Sequence, residues 1–304
     1  MDYRNTTKPN DLLAFFHLLL RVLIQAALVY FSLWASNERL WILFGFLLMI
    51  NGGFWSFWGW GGIGHEFYHR TFFTRNRIND ICFGICGLIT WSNFGYFAAS
   101  HKRHHLQTLQ KDDPEDVSGK FLTKAETISL LIVDLPGLSR RLRVLSRNAI
   151  GTLPHNKLVD LRPLEKKRII RSARIILAVH AFFILYVLFV LQSFNILLTT
   201  SFAPWIFQLP NVMLQRLQHL NGKRGSDNIF ESTHTVALPR ALAWIYANMN
   251  FHVEHHLYPF VPSYRLLTLH KAIKHNHLQG GSLLRGFTEV NDQIKASQHK
   301  LNGI

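Results

Sequence analysis

"LLAFFHLLLRVLIQAALVYFSLW" fills residues 12 to 34, and only His17, Arg21 and Gln25 interrupt it. A helix needs roughly 20 predominantly apolar residues to cross the hydrocarbon core of a bilayer, so this run reads as a membrane span. Three more runs follow. Residues 40–63 carry no charge, residues 175–198 carry none apart from neutral His180, and residues 202–220 are weaker because they contain Pro204 and Pro210. The whole chain of 304 residues is 48% hydrophobic and 17% charged, where a soluble domain carries about 25% charged residues. The expected fold is all-α: one membrane-embedded domain over residues 1–304, with four transmembrane helices at about 12–34, 40–63, 175–198 and 202–220. The leading MDYRNTTKPND has no small-residue cleavage site, so the first run is expected to stay as a span. Cys82 and Cys86 lie in an apolar segment and read as buried thiols, not as a disulfide or metal pair.

Charge assigns the sides. Of 33 Lys and Arg, 19 lie between His65 and Arg174 and 10 between Arg216 and the C-terminus, whereas the link TTSFAP between the third and fourth runs has none. The positive-inside rule then makes both termini and both long hydrophilic stretches cytoplasmic, in an endoplasmic reticulum or bacterial inner membrane. The apolar segment 81–99 contains two glycines and a Ser-Asn pair, which favour a re-entrant or interfacial element over a fifth span. Residues 236–251 are shorter and are also expected at the interface. LSRRLRVLSRNA, residues 138–149, reads as a basic helix lying on a surface. Topology and anionic headgroups account for the net charge of +15, so membrane lipids, and not nucleic acid, are the expected partners.

Three histidine groups adjoin these runs: HEFYH at 65–69, HKRHH at 101–105 and HVEHH at 252–256. A helix turns about 100° per residue, so His65 and His69 share a face, as do His101, His104 and His105, and His252, His255 and His256. Eight imidazoles from three helix ends can then converge. Neutral imidazole is the commonest nitrogen ligand for Fe, Zn, Cu and Ni, and eight are too many for one ion but suit two. The lack of thiolates and the few nearby carboxylates argue against an iron–sulfur centre and a carboxylate-bridged di-iron bundle. His17 and His180 read as core residues. His155, His234, His270, His275, His277 and His299 read as surface residues.

These residues resemble the membrane fatty acid desaturase and hydroxylase superfamily, whose pattern is HxxxH, HxxHH and HxxHH. The flanks GHEFYHRTFF, HHLQTLQKDDPED and NMNFHVEHHLYPFVP match as well, and the resemblance covers about residues 40–270. It implies a cytoplasmic helical cap whose box histidines hold two irons. It also implies a ninth ligand before the third box, which QRLQHLN supplies as His219, and Gln215 as a candidate to hold a metal-bound water. Leu109 stands where many relatives have Asn, and Phe97-Ala98-Ala99 replaces a Trp-Arg pair, departures that leave the metal ligands intact. Asp113 and Glu254 are expected as partners for ring N–H groups.

With dioxygen as co-substrate, such a di-iron centre would itself carry the chemistry, without a separate acid or base residue. The first reading is an O2-dependent desaturase of lipid acyl chains, carried as acyl-lipid or acyl-CoA. The second is a hydroxylase or ketolase of the same superfamily, acting on a fatty acyl, sphingolipid or carotenoid substrate. A membrane metal transporter is the distant third, since it would place ligands near the bilayer midplane within a repeated architecture. No nucleotide-binding glycine pattern and no His-Pro-Gly-Gly haem motif is present, so an external donor is expected, cytochrome b5 or a ferredoxin with its reductase.

Overall fold

The computed structural model describes residues 8–116, 122–153, 158, 160–220 and 222–273. His155, His275, His277 and His299 lie outside them. Among the described residues the secondary structure is helical, apart from one isolated bridge between Val133 and Ile206.

The first helix, α1 (Asp11–Asn37), starts where the Asn10 side chain accepts the Leu13 N–H and would run about 40 Å at 1.5 Å per residue. Its sides are inverted relative to a soluble helix. Phe15, Phe16, Leu20, Leu23, Tyr30 and Phe31 are exposed, whereas Arg21, Gln25, Ser32 and Ser36 are buried. An apolar face turned outward suits lipid, and the polar groups it cannot show to lipid must find partners inside. They do. Gln25 Nε2 donates to Asn51 Oδ1 at 2.6 Å, Asn51 Nδ2 to the Thr199 carbonyl at 2.8 Å, and Trp58 Nε1 to Gln25 Oε1 at 3.0 Å. Arg21 bonds the carbonyls of Trp244 and Ile245 and lies over the Trp244 ring.

A left-handed turn at Arg39 (φ 58°) leads into α2 (Trp41–Ser56), the antiparallel neighbour of α1. A Cβ on Gly52 would sit 2.6 Å from the Ile206 carbonyl oxygen, so this glycine allows α2 to meet the backbone of the segment beyond the later hairpin. Next come α3 (Ile63–His69), α4 (Asn76–Ile89) and α5 (Phe94–Leu106). Between α4 and α5 the chain bends by 112°. Trp91 takes φ 54° in the bend, and Asn93 restarts the helix by accepting the Tyr96 N–H. This sharp break lies inside the expected re-entrant segment 81–99. Cys82 is half-buried, Cys86 is buried, and both are free thiols.

Two short surface helices, α6 (Lys124–Leu131) and the Arg-rich α7 (Leu135–Ala149), precede α8 (Pro163–Tyr186), which continues as a π-turn to Leu191. Like α1, it turns Phe182, Leu185, Phe189 and Val190 outward and buries Ser172, Ala173, Ile176 and His180. It begins well before residue 175 and ends at Gln192, a left-handed residue with φ 50°. The short α9 (Phe194–Thr199) follows. The fourth apolar run is not one helix. Pro204 falls in a 3-10 turn over Ala203–Trp205, and Pro210 opens α10 (Leu209–Leu217), because a proline interior to a helix removes a hydrogen bond and clashes one turn back. Residues 40–63 also differ from expectation, since α2 stops at Ser56 and turns carry the chain to Gly62. Among the described residues two helices are therefore long and apolar enough to cross a membrane, or three if α4 and α5 are one bent span. With their apolar faces turned outward, they mark a membrane protein.

The remaining helices are α11 (Ile229–Ser232), α12 (Arg240–Ile245), α13 (His252–Leu257) and α14 (Leu266–Ile273). α12 lies within the expected interfacial segment 236–251. α13 ends before Pro259 and Pro262, where the chain cannot remain helical.

Candidate metal centre

HEFYH forms the last five residues of α3, HKRHH the last turns of α5, and HVEHH the whole of α13 apart from Leu257. His219 lies in the turn just after α10. The fold brings these four elements together, and their imidazoles form two groups. His65, His69, His101, His105 and His255 make one, and His104, His219, His252 and His256 the other, each with ligand atoms within 4.8 Å of one another.

The division explains the repeated HxxHH spacing. In α5 the first and last histidines of the box, one helical turn apart, face the five-histidine group, and the middle one, His104, faces the other. In α13 the roles are exchanged: His252 and His256 face the four-histidine group, and His255 crosses to the first. Each box thus contributes to both groups and does not act as one tridentate face.

Within each group the Nε2 atoms converge. His101 Nε2 lies 3.2 Å from that of His69 and 3.0 Å from that of His105, and His255 Nε2 is 3.3 Å from that of His105. In the second group His252 Nε2 is 3.2 Å from the Nε2 atoms of His219 and His256. A metal with bonds of about 2.1 Å to nitrogen has ligand–ligand edges of about 3.0 Å in octahedral and 3.4 Å in tetrahedral geometry. The observed separations match such edges. His65 Nε2 is buried without any hydrogen-bond partner, a costly state unless another species satisfies it. The residues present therefore fit two metal ions.

On four of the rings the outward nitrogen is fixed by another group. His101 Nδ1 lies 2.9 Å from Glu115 Oε2, and Ser100 donates to the other oxygen of Glu115 at 2.6 Å. His104 Nδ1 meets Asp113 Oδ2 at 2.9 Å, and Asp113 also accepts the backbone N–H groups of Leu109 and Glu115. His219 Nδ1 is 3.0 Å from the Ser232 carbonyl, and His256 Nδ1 is 3.3 Å from Thr108 Oγ1. Such contacts set the tautomer that leaves Nε2 free for a metal. Burial keeps five of these rings neutral. Desolvation, with the charges of His104 and His219 in support, lowers His65 to about 3, and desolvation also takes His69, His252, His255 and His256 well below the ordinary imidazole value.

Asp113 stands where a ring partner was expected. Glu254 does not touch a ring of either group: Oε2 accepts from Thr235 at 2.6 Å, and Oε1 lies 2.5 Å from His270 Nδ1. His270, expected at the surface, is thus tied to a buried carboxylate. Gln215 donates its amide N–H to Asn211 Oδ1. His17 and His180 are also outside both groups. His17 accepts from Trp244 Nε1 at 2.8 Å, and His180 bridges Ser201 Oγ and the Leu88 carbonyl. Glu115, Thr108 and Ser232 were not foreseen, although Thr108 and Glu115 belong to the matched flank HHLQTLQKDDPED.

A family model described as fatty acid desaturase matches residues 39–286, which include all nine clustered histidines. No curated protein matches the chain.

Proposed function

Because the chain belongs to the fatty acid desaturase family, we propose that its nine histidines hold two iron ions and that it introduces a double bond into a lipid acyl chain, using dioxygen. The observation that carries this reading is the division of nine imidazoles into groups of five and four. When bound, the irons supply the redox chemistry with dioxygen that acid–base side chains lack for breaking unactivated C–H bonds.

The reaction R–CH2–CH2–R + O2 + 2 e− + 2 H+ → R–CH=CH–R + 2 H2O needs two electrons beyond the two that leave the substrate. Those come from an external carrier, cytochrome b5 or a ferredoxin with its reductase, approaching the basic side of the protein. The chain's own residues hold and orient. Glu115 and Asp113 fix the rings of His101 and His104, one in each group. Phe97 stacks on His101 with centroids 4.7 Å apart, and Tyr68 packs against His69 and His101, which together cover part of the five-histidine side. Where the acyl chain lies relative to the centre decides between a second hydrogen abstraction and return of a hydroxyl, so hydroxylation and ketolation are the alternatives on the same site. The distribution of basic residues supports a multi-pass arrangement with both termini and the histidine centre on the cytoplasmic side.

The test is a lipid profile. The chain is expressed with a compatible donor in a host of simple fatty acid content, beside a His104→Ala control. A species two hydrogens lighter than its precursor, absent from the control, is the expected result. A gain of one oxygen would move the assignment to hydroxylase. Unchanged lipids with folded, iron-loaded protein would remove host acyl chains as the substrate.

A further inference from the structure

A cavity of about 120 Å³ lies between the α4–α5 bend, α7 and the segment from Pro204 to Gln215. At roughly 30 Å³ per water it has room for about four water-sized groups. That suits the polar end of a lipid and not a length of acyl chain.

Its walls have hydrogen-bond donors to spare. Trp205 lines it, is only 4% exposed, and keeps an indole N–H with no partner. Arg141 reaches in from α7, and its one hydrogen bond among the described residues runs from Nη1 to Ser92 Oγ at 3.3 Å. No carboxylate lies within ion-pair distance of that guanidinium among the described residues. The wall's other amides are already committed: Gln208 donates to the Pro204 carbonyl and Gln215 to Asn211 Oδ1. An orphaned indole donor and an unpaired, part-buried cation both call for an acceptor, and the cation calls for an anion.

The cavity is coupled to the metal centre by stacked rings. Trp60, on its wall, lies parallel to Phe97 at 4.4 Å, and Phe97 lies parallel to His101 at 4.7 Å. A group held in the cavity is therefore one stack of rings from the five-histidine group.

We infer that this cavity binds a carboxylate carried by the lipid substrate, with the Arg141 guanidinium and the Trp205 indole N–H as its donors. The inference rests on the proposed lipid oxidation and replaces the acyl-lipid or acyl-CoA carrier of the sequence reading, an ester or thioester, with a free acid. An ester carbonyl would accept the indole hydrogen bond but would leave the guanidinium uncompensated.

The experiment measures binding of palmitate and of methyl palmitate to the full-length, iron-loaded protein in discs of neutral lipid. Wild type is expected to bind the acid about tenfold or more tighter than the ester, the contribution of one charge-assisted hydrogen bond. Arg141→Met should abolish that preference, and Arg141→Lys should keep part of it. Trp205→Phe, which keeps the ring and loses the donor, should weaken both ligands about fivefold. Thermal melting and iron content identify any variant that has lost its fold, and the wild-type comparison needs no variant. Equal affinity for acid and ester in wild type overturns the inference, as does a preference that survives Arg141→Met. Binding is read without turnover. An acid preference with unchanged host lipids counts against the desaturase reading alone, and a new double bond with no acid preference counts against the carboxylate site alone.

Discussion

His104 and Asp113 are joined through the imidazole Nδ1, 2.9 Å from one carboxylate oxygen and 3.1 Å from the other. The ring's remaining nitrogen is thereby left for the four-histidine group. Asp113→Ala removes this anchor, and removing a partner behind a ligating histidine costs about 10- to 100-fold in metal affinity. The loss is expected at one of two ions, measured by chelator competition, with the second ion retained. Asp113→Asn keeps an acceptor for the ring N–H and should lose less.

Glu115 has the same relationship to the other group. Glu115→Ala should weaken the ion on the five-histidine side, because His101 Nδ1 and Ser100 both lose their acceptor. Chelator titration of the two single variants should show each releasing one ion early. Loss of both ions together in either variant would mean that the two groups do not bind separately.

The metal-free protein should lose stability as the pH falls from about 6.5. In the unfolded chain an imidazole takes up its proton near 6.5, whereas burial holds His65 neutral down to about 3. Between those values the unfolded state binds more protons than the native state, so unfolding is favoured as pH falls, by at most about 1.4 kcal/mol per pH unit for each such ring. Melting temperatures of metal-free protein at pH 7.5, 6.5 and 5.5 check this. A midpoint that stays constant or rises on acidification would contradict burial of neutral rings.

Inside the helix pair, Gln25→Leu strands the Trp58 indole N–H and removes the donor to Asn51 Oδ1. Leaving a buried polar group unsatisfied costs about 1–3 kcal/mol. The variant should melt at lower temperature in detergent while binding its full complement of metal.

Much of this was legible in the sequence because it depends on local periodicity. The run from Leu12 to Trp34 gave α1, and the i, i+3, i+4 spacing put each box on one side of its helix. The same periodicity accounts for Glu254. On α13 it sits about 100° from His255 and 200° from His252, behind the histidine face, and there it meets Thr235 and His270. What spacing cannot express is how helices face one another. The exchange of roles between His104 and His255 appears only when α5 and α13 oppose each other across the centre. Gln215 and His219 look one turn apart, but α10 ends at Leu217, so His219 leaves the helical phase. The fourth apolar run misled because hydropathy counts Pro204 and Pro210 only weakly, whereas each restricts how the backbone can continue as a helix.

The most direct test of the central claim is the iron bound per chain, by elemental analysis of anaerobically purified protein, for wild type and for the His219→Ala, His256→Ala double variant. Two irons per wild-type chain and one in the variant are predicted, because the substitutions remove half of the four-histidine group and leave the five-histidine group whole. One iron or none in wild type, or an unchanged two in the variant, would contradict the division of these histidines into two metal sites.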